Sequence, residues 1–457
     1  MSLRRLSLGI GSIAVDKLVI TAVQLLLVPL LANAWGLTLY GIWAMMITIP
    51  AFLVLGDFGI VTSAWARMTM FVSRGEMGNA RSVLHTAWVV TTGICLGLIA
   101  LGGLLLLLLP EGIVPVTTGF DEEQSRTVIL MLIVYGLGTI VFRLNTSIFR
   151  ASGNLPLSIW CNTLSYALEN FALVLAVFLG AKPVGAAATL LAMRCISILI
   201  VLLISFRKFP QLSPGYAAAR QSEWRELWRP ALSASVLGIG FLAFLQGSVL
   251  ALGFAAGAAA VPAFVAVRTV SRLGWQVSLM VAQPAAQEFG HEMARGHMRK
   301  AGRYFGLVVA ISTVMALGMS IGLALLGQPA VRIWTNGAIA PPYALILAMA
   351  LSSFAGILWN PLANLVLAVN RQDALAHASI GSGAAALVFI VLSGDELGTV
   401  AAGVASAFTD MMTLAAVALF VRRNWWRDPE FRAGSAQSIA ELRSPLSTLR
   451  ALRRGRG

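Results

Sequence analysis

Residues 82–109 read Ser-Val-Leu-His-Thr-Ala-Trp-Val-Val-Thr-Thr-Gly-Ile-Cys-Leu-Gly-Leu-Ile-Ala-Leu-Gly-Gly-Leu-Leu-Leu-Leu-Leu-Leu, without one Asp, Glu, Lys or Arg. As a helix this run would be ~42 Å long at about 1.5 Å per residue, enough to cross a hydrocarbon layer of ~30 Å. The same pattern recurs on both sides of it. Twelve such segments are legible, at about 11–34, 39–66, 82–109, 126–146, 157–180, 185–206, 230–256, 261–287, 303–326, 342–366, 376–393 and 398–421. The first has a signal-peptide look, with Arg4 and Arg5 before an apolar run. Its length and the interrupting Asp16-Lys17 argue for a retained helix instead.

The composition agrees. Of 457 residues, 58% are apolar and 11% charged, where a soluble protein carries about 25% charged residues. No hydrophilic stretch is long enough for a soluble domain; the longest are 207–229 and 422–457. A soluble enzyme, a nucleic-acid-binding protein and a disordered chain are excluded, and the fold class is an all-α polytopic membrane protein. Cys95, Cys161 and Cys195 all lie in apolar segments without CxxC spacing, which predicts buried, inert thiols.

The net charge of +14 is informative through its placement. Basic residues crowd one set of alternate loops. They include Arg4 and Arg5, Arg67 to Arg81, Arg143 and Arg150, Arg207 to Arg229, Arg295 to Arg303, Arg371, and the tail from Arg422 to Arg456. The other set holds only Arg126, Lys182 and Arg332. Loops rich in Lys and Arg stay cytoplasmic, so both termini are expected in the cytoplasm. The basic loops should also attract anionic lipids. Trp224, Leu227 and Trp228 between arginines, and Ile439, Leu442, Leu446, Leu449 and Leu452 in the tail, have the spacing of helices lying in the interface, with Pro445 interrupting the second.

An internal repeat sets the domain organisation. Arg74-Gly75-Glu76-Met77-Gly78-Asn79-Ala80 returns as Arg295-Gly296-His297-Met298-Arg299-Lys300-Ala301, and Ala151-Ser152-Gly153-Asn154 aligns with Ala368-Val369-Asn370-Arg371. These offsets predict a six-helix lobe over 1–208, a cytoplasmic interfacial linker over 209–229, a second six-helix lobe over 230–421 and a basic cytoplasmic tail over 422–457. Parallel repeats of this kind are a transporter's plan, rocking about a central site.

Ionisable groups inside hydrocarbon each need a reason. Arg268, Arg272, Gln276, Gln283 and Gln287 share ~100° of one helix face. Ser158, Asn162, Ser165, Tyr166 and Glu169 form a second such stripe, and Ser353, Asn360 and Asn364 a third. Arg194, Asp57 and Asp410 complete the intramembrane charges. Arg194 has two readings, as a partner for Glu169 or as an anion ligand. A cationic cavity suits a diphosphate, which arginine grips bidentately. Asp16-Lys17 reads as interfacial.

Other signals carry no chemistry. His291-Glu292 and His297 lack the i, i+4 spacing of a zinc helix, and Gly9-Ile10-Gly11 follows no strand. Gly93/Gly97, Gly253/Gly257 and Gly318/Gly322 read as close-packing motifs. Pro29, Pro50, Pro284 and Pro361 predict kinks.

Val28-Pro29-Leu30-Leu31, Gly36-Leu37-Thr38-Leu39-Tyr40-Gly41-Ile42-Trp43 and Leu55-Gly56-Asp57-Phe58-Gly59-Ile60, followed by the basic loop at 74–81, resemble the polysaccharide-transport branch of the multidrug/oligosaccharidyl-lipid/polysaccharide (MOP) exporter superfamily. In motif the resemblance covers about residues 25–85; in architecture it covers the whole chain. It implies a MATE-like fold of about twelve transmembrane helices in two lobes. It also implies a flippase that moves a polyprenyl-diphosphate-linked O-antigen or exopolysaccharide repeat unit across the bacterial inner membrane by alternating access, beside polysaccharide polymerase or assembly proteins. The family supplies no fixed motif for the site. The arginine stripe therefore nominates Arg268 and Arg272, joined by the intramembrane Arg194, for the diphosphate or acidic sugars, with Gln276, Asn162 and Tyr166 along the sugar path. Asp57, Glu169 or Asp410 is the candidate for a coupling proton or sodium ion. No cofactor, metal or nucleic acid is expected. A cation-coupled multidrug exporter is the alternative, and would favour acids in its cavity. A membrane ligase or polymerase would need a large outer loop, where 110–125 is short.

Overall fold

Each apolar segment of the sequence falls on a helix, or on a helix with a break in it. The computed structural model describes residues 3–57, 59–369 and 373–443. Its long elements are α1 (Leu3–Met46), α2 (Thr48–Leu55), α3 (Ile60–Ser73), α4 (Met77–Leu108), α5 (Glu122–Ala151), α6 (Leu155–Phe178), α7 (Pro183–Lys208), α8 (Gln221–Ala256), α9 (Val261–Ala294), α10 (Met298–Trp334), α11 (Tyr343–Ala368), α12 (Asp373–Leu397), α13 (Thr399–Asn424) and α14 (Pro429–Arg443). No strand occurs among the described residues. Nine helices there are long and apolar enough to cross a membrane; α9, interrupted by its arginines and glutamines, is not one of them.

Local chemistry sets the boundaries. Asp121 caps α5 by accepting from the Gln124 amide at 2.8 Å, and Asn154 does the same for α6 through Leu157. Pro183 opens α7, where its missing N–H costs nothing. Arg126, paired with Glu122 at 2.7 Å, donates to the Leu106 and Leu109 carbonyls that end α4. The second predicted segment is not one helix. The helix breaks at Ile47 and again around Gly56, Asp57 and Gly59, splitting it into the end of α1, then α2, then α3.

The described chain divides into two compact units. The first is 1–262 with 334–339, and the second is 263–333 with 340–457. The repeat draws its border over 209–229, whereas the first unit takes α8 with it. The reason is packing: α8 lies on α2, α3 and α4, Leu227 is buried, and Arg67 of α3 bonds Glu223 at 2.7 Å and Glu226 at 3.5 Å. Trp224 and Leu227 therefore belong to the first turns of a long helix, and no separate interfacial helix forms there. His85 pins the segment before it, pairing with the Ser213 carbonyl at 3.0 Å and accepting from the Ala218 amide at 2.9 Å.

The core of the first unit gathers Val61, Ala64 and Met68 of α3, Val83, Leu84 and Ala87 of α4, and Ile140, Leu144 and Phe149 of α5. Large apolar side chains also point outward, among them Leu104, Leu107 and Leu108 of α4, Phe171 and Phe178 of α6, and Leu325 and Leu326 of α10. A surface of that composition is covered by lipid, not water. The chain is a multi-pass membrane protein. Of the three free cysteines, only Cys95 is buried, while Cys161 is half-buried and Cys195 is exposed on α7 beside the outward-facing Ile196 and Leu199. The expectation of three buried thiols is corrected accordingly: a thiol in an apolar helix can satisfy the sequence pattern by facing lipid.

Candidate functional site: charged tracks inside each unit

In the first unit, α5 carries a polar stripe that the segment boundaries conceal. Tyr135, Thr139, Arg143, Thr146 and Arg150 recur at steps of three and four, hence on one face. Arg143 and Arg150 read as loop charges in the sequence, but α5 runs through both. Arg143 reaches the Asp57 carboxylate at 3.4 Å, and Arg150 donates to Ser158 Oγ at 2.9 Å. Asp57 stands at the break between α2 and α3. Its other oxygen accepts the Gly59 amide at 2.7 Å, and Gly59 holds φ 73°, a conformation that a side chain would strain. The Asp-x-Gly of the sequence motif is thus a helix break closed by its own aspartate.

Farther along the same helices, Glu169 of α6 is wholly buried and bonds Arg194 of α7 at 2.8 Å, Tyr135 at 3.1 Å and Ser197 at 3.4 Å. Arg194 also donates to Tyr135 at 3.1 Å and lies over the Tyr135 and Phe142 rings. Of the two readings of Arg194, the structure shows the pair with Glu169. Asn162 turns its amide back to the Ser158 carbonyl at 2.6 Å, and Tyr166 is half-buried next along that face. Asp16 accepts from Thr163 at 2.7 Å and, contrary to the rule that adjacent residues face apart, also from Lys17 at 3.3 Å, because the lysine side chain is long enough to fold back.

The second unit places its charges on α9, α11 and α13. Arg268 lies over the Phe264 ring at 5.0 Å and Arg272 over Trp275 at 5.2 Å. Trp275 meets Trp359 edge-on at 5.6 Å, and Trp359 donates to Asp410 at 2.9 Å. Ser352 donates to the second Asp410 oxygen. Arg272 and Asp410 feel one another electrostatically without a direct ion pair. Ser353 bonds the Ser271 carbonyl at 3.0 Å, tying α11 to α9. Gln276 is half-buried on the α9 stripe, whereas Gln283 and Gln287 have side chains outside the described residues. Asn364 bonds the Asn360 carbonyl of its own helix.

The sequence nominates Arg268, Arg272, Gln276 and Asp410, and these fall in the second unit. Arg194, Asn162, Tyr166, Asp57 and Glu169 fall in the first. Arg143 and Tyr135 were not nominated; their four-residue spacing with Thr139 is the signal that marks them. His297 and Glu292 meet at 2.6 Å where α9 ends, and no group of three metal-ligating side chains occurs among the described residues.

The all-helical frame, with its broken apolar helix, has a fold similar to that of solved MOP-superfamily transporters. The lipid II flippase MurJ in an inward closed conformation matches with a TM-score of 0.70 at 13% identity, over 95% of this chain and 92% of that one. An inward-facing MATE-family multidrug resistance transporter of the MOP superfamily matches with a TM-score of 0.66 at 14% identity, over 89% and 98%. A MOP-superfamily transporter from Pyrococcus furiosus, described by the reverse polarity of its binding pocket, matches at 0.60 and 13%, over 92% and 98%. No protein-family model and no curated protein sequence matches the chain.

Proposed function

We propose that the protein is a flippase for a polyprenyl-diphosphate-linked oligosaccharide, an O-antigen or exopolysaccharide repeat unit, crossing the bacterial inner membrane by alternating access with both termini cytoplasmic. One observation carries the choice of an anionic substrate: the membrane acids are buried and engaged, whereas the arginines, apart from Arg194 in its buried pair with Glu169, keep some exposure. Glu169 and Asp410 are 0% and 8% exposed with both carboxylate oxygens bonded. In the Asp57–Arg143 pair the side chains are 9% and 38% exposed, the arginine being the open one. Arg268 and Arg272 are half-buried. Such a lining offers guanidinium forks to a diphosphate and no free carboxylate to a cationic drug.

In this reading Arg268 and Arg272 hold the diphosphate or acidic sugars. Gln276, Asn162 and Tyr166 contact sugar. Arg194 acts through its pair with Glu169, and Asp57, Glu169 or Asp410 is the candidate for a coupling proton or sodium ion. The loop 109–121 is pinned by bonds between Thr117 and Phe120 and from Ser125 to the Pro115 carbonyl, which supports a transporter over a ligase or polymerase. Replacing Arg268 and Arg272 together by Gln abolishes surface polysaccharide while the protein level holds; normal polysaccharide in that variant overturns the assignment. The MATE likeness favours a cation-coupled drug exporter as the second reading, and a deletion strain that is drug-sensitive with intact polysaccharide would establish it.

A further inference from the structure

The basic end of α13 holds a cavity that the transport reading does not use. It measures about 550 Å³ and is lined by Leu419, Arg422, Arg423, Trp426, Arg427 and Arg432. Leu419, Arg422, Arg423 and Trp426 follow i, i+3, i+4, i+7 spacing, so α13 and its continuing turn present them on one side. No acid among the described residues lines the cavity, and none of the four arginines makes an ion pair with a described residue. The nearby carboxylate of Asp428 is engaged, accepting from the Phe431 amide at 3.0 Å.

The cavity is built, not a chance gathering of flexible cations. Between its arginines, Trp425 and Phe431 turn inward and are buried. Trp425 packs on Phe289, Phe420 and Phe431 with ring centres 4.9, 5.4 and 5.9 Å away, and Phe431 packs on Phe305 at 5.3 Å. Ser438 of α14 donates to the Arg303 carbonyl of α10 at 2.7 Å. This aromatic anchor fixes the turn between α13 and α14 from which Arg427 and Arg432 enter the same lining as Arg422 and Arg423.

We propose that this cavity binds the phosphate headgroup of an anionic membrane lipid. Four guanidinium groups without a counter-charge fit a phosphate diester, since arginine meets phosphate oxygens bidentately. The exposed Leu419 and Trp426 in the lining favour a lipid over a free ion, because they offer apolar surface to acyl chain and glycerol. Its place, at the last turns of a membrane-crossing helix and just beyond it, is where headgroups lie. The inference stands apart from the identity of the transported substrate.

The test measures lipid binding to the full-length protein in neutral detergent by native mass spectrometry, with phosphatidylglycerol, phosphatidylcholine and inorganic phosphate as separate probes. Two variants each remove two positive charges: Arg423→Gln with Arg427→Gln in the cavity, and Arg207→Gln with Lys208→Gln, exposed at the end of α7. Phosphatidylglycerol is expected to bind at least tenfold more tightly than phosphatidylcholine. The cavity variant is expected to lose that preference and the α7 variant to keep it. Equal losses in both variants would mean diffuse attraction to charge and overturn the proposal. Binding of inorganic phosphate as tight as that of the lipid overturns it as well, and so does an undiminished preference in the cavity variant.

Discussion

Arg143 of α5 reaches the Asp57 carboxylate at 3.4 Å while Asp57 holds the Gly59 amide at 2.7 Å. One aspartate therefore closes a break in a membrane helix and anchors an accessible arginine. Asp57→Asn keeps an acceptor for Gly59 and loses only the ion pair, worth roughly 0.5 kcal/mol for so open an arginine. Asp57→Ala loses the turn bond too, about 1 kcal/mol more. Thermal unfolding in detergent is expected to rank wild type, Asn and Ala in that order, and an Asn variant as unstable as Ala would show that the turn bond is unimportant.

Glu169 and Arg194 form a pair that is buried on both sides. Removing one partner leaves a buried uncompensated charge, at a cost of about 3–5 kcal/mol, whereas replacing both by apolar residues of similar size is close to neutral. Glu169→Gln and Arg194→Met singly are expected to lower the unfolding midpoint strongly, and Glu169→Leu with Arg194→Met to recover most of it. Additive losses in the double variant would contradict the pairing.

Trp359 donates the 2.9 Å bond that helps keep Asp410 buried. Trp359→Phe preserves the ring edge against Trp275 but removes the donor, so Asp410 is left short of one bond at about 1–3 kcal/mol. Adding Asp410→Asn relieves most of that penalty. The check is the double-mutant cycle on unfolding midpoints; zero coupling between the two sites would refute it.

Gly356 of α11 lies against Trp275, where an added Cβ would fall 2.2 Å from the indole nitrogen. Gly356→Ala must push Trp275 aside, and with it the ring over which Arg272 rests. The variant is expected to reduce surface polysaccharide several-fold at normal protein level, as a milder form of the Arg272 defect. Wild-type polysaccharide would mean that Trp275 does not position Arg272.

Much of the site is legible as stripes, because helical periodicity is a local property. The faces of α6 and α9 follow from residue spacing alone, and Glu169, Arg268 and Arg272 are found that way. Arg143 escapes because, although it lies within the apolar segment at 126–146, it is counted with Arg150 among the loop charges. The pairing of Arg194 stays open in sequence because partner choice depends on how α6 and α7 rotate against each other.

The sequence by itself determines that the chain crosses a membrane many times as helices: too few charges exist to clothe a soluble surface, and unsatisfied backbone is intolerable in hydrocarbon. It also determines which helices carry polar faces. Only the tertiary structure decides that Glu169 and Arg194 pair in the interior, that Arg143 is the open member of its pair with Asp57, that α8 joins the first unit, and that four tail arginines line one cavity. Those outcomes depend on side chains distant in sequence meeting at 3–5 Å, and no periodicity along one helix encodes its neighbour's rotation.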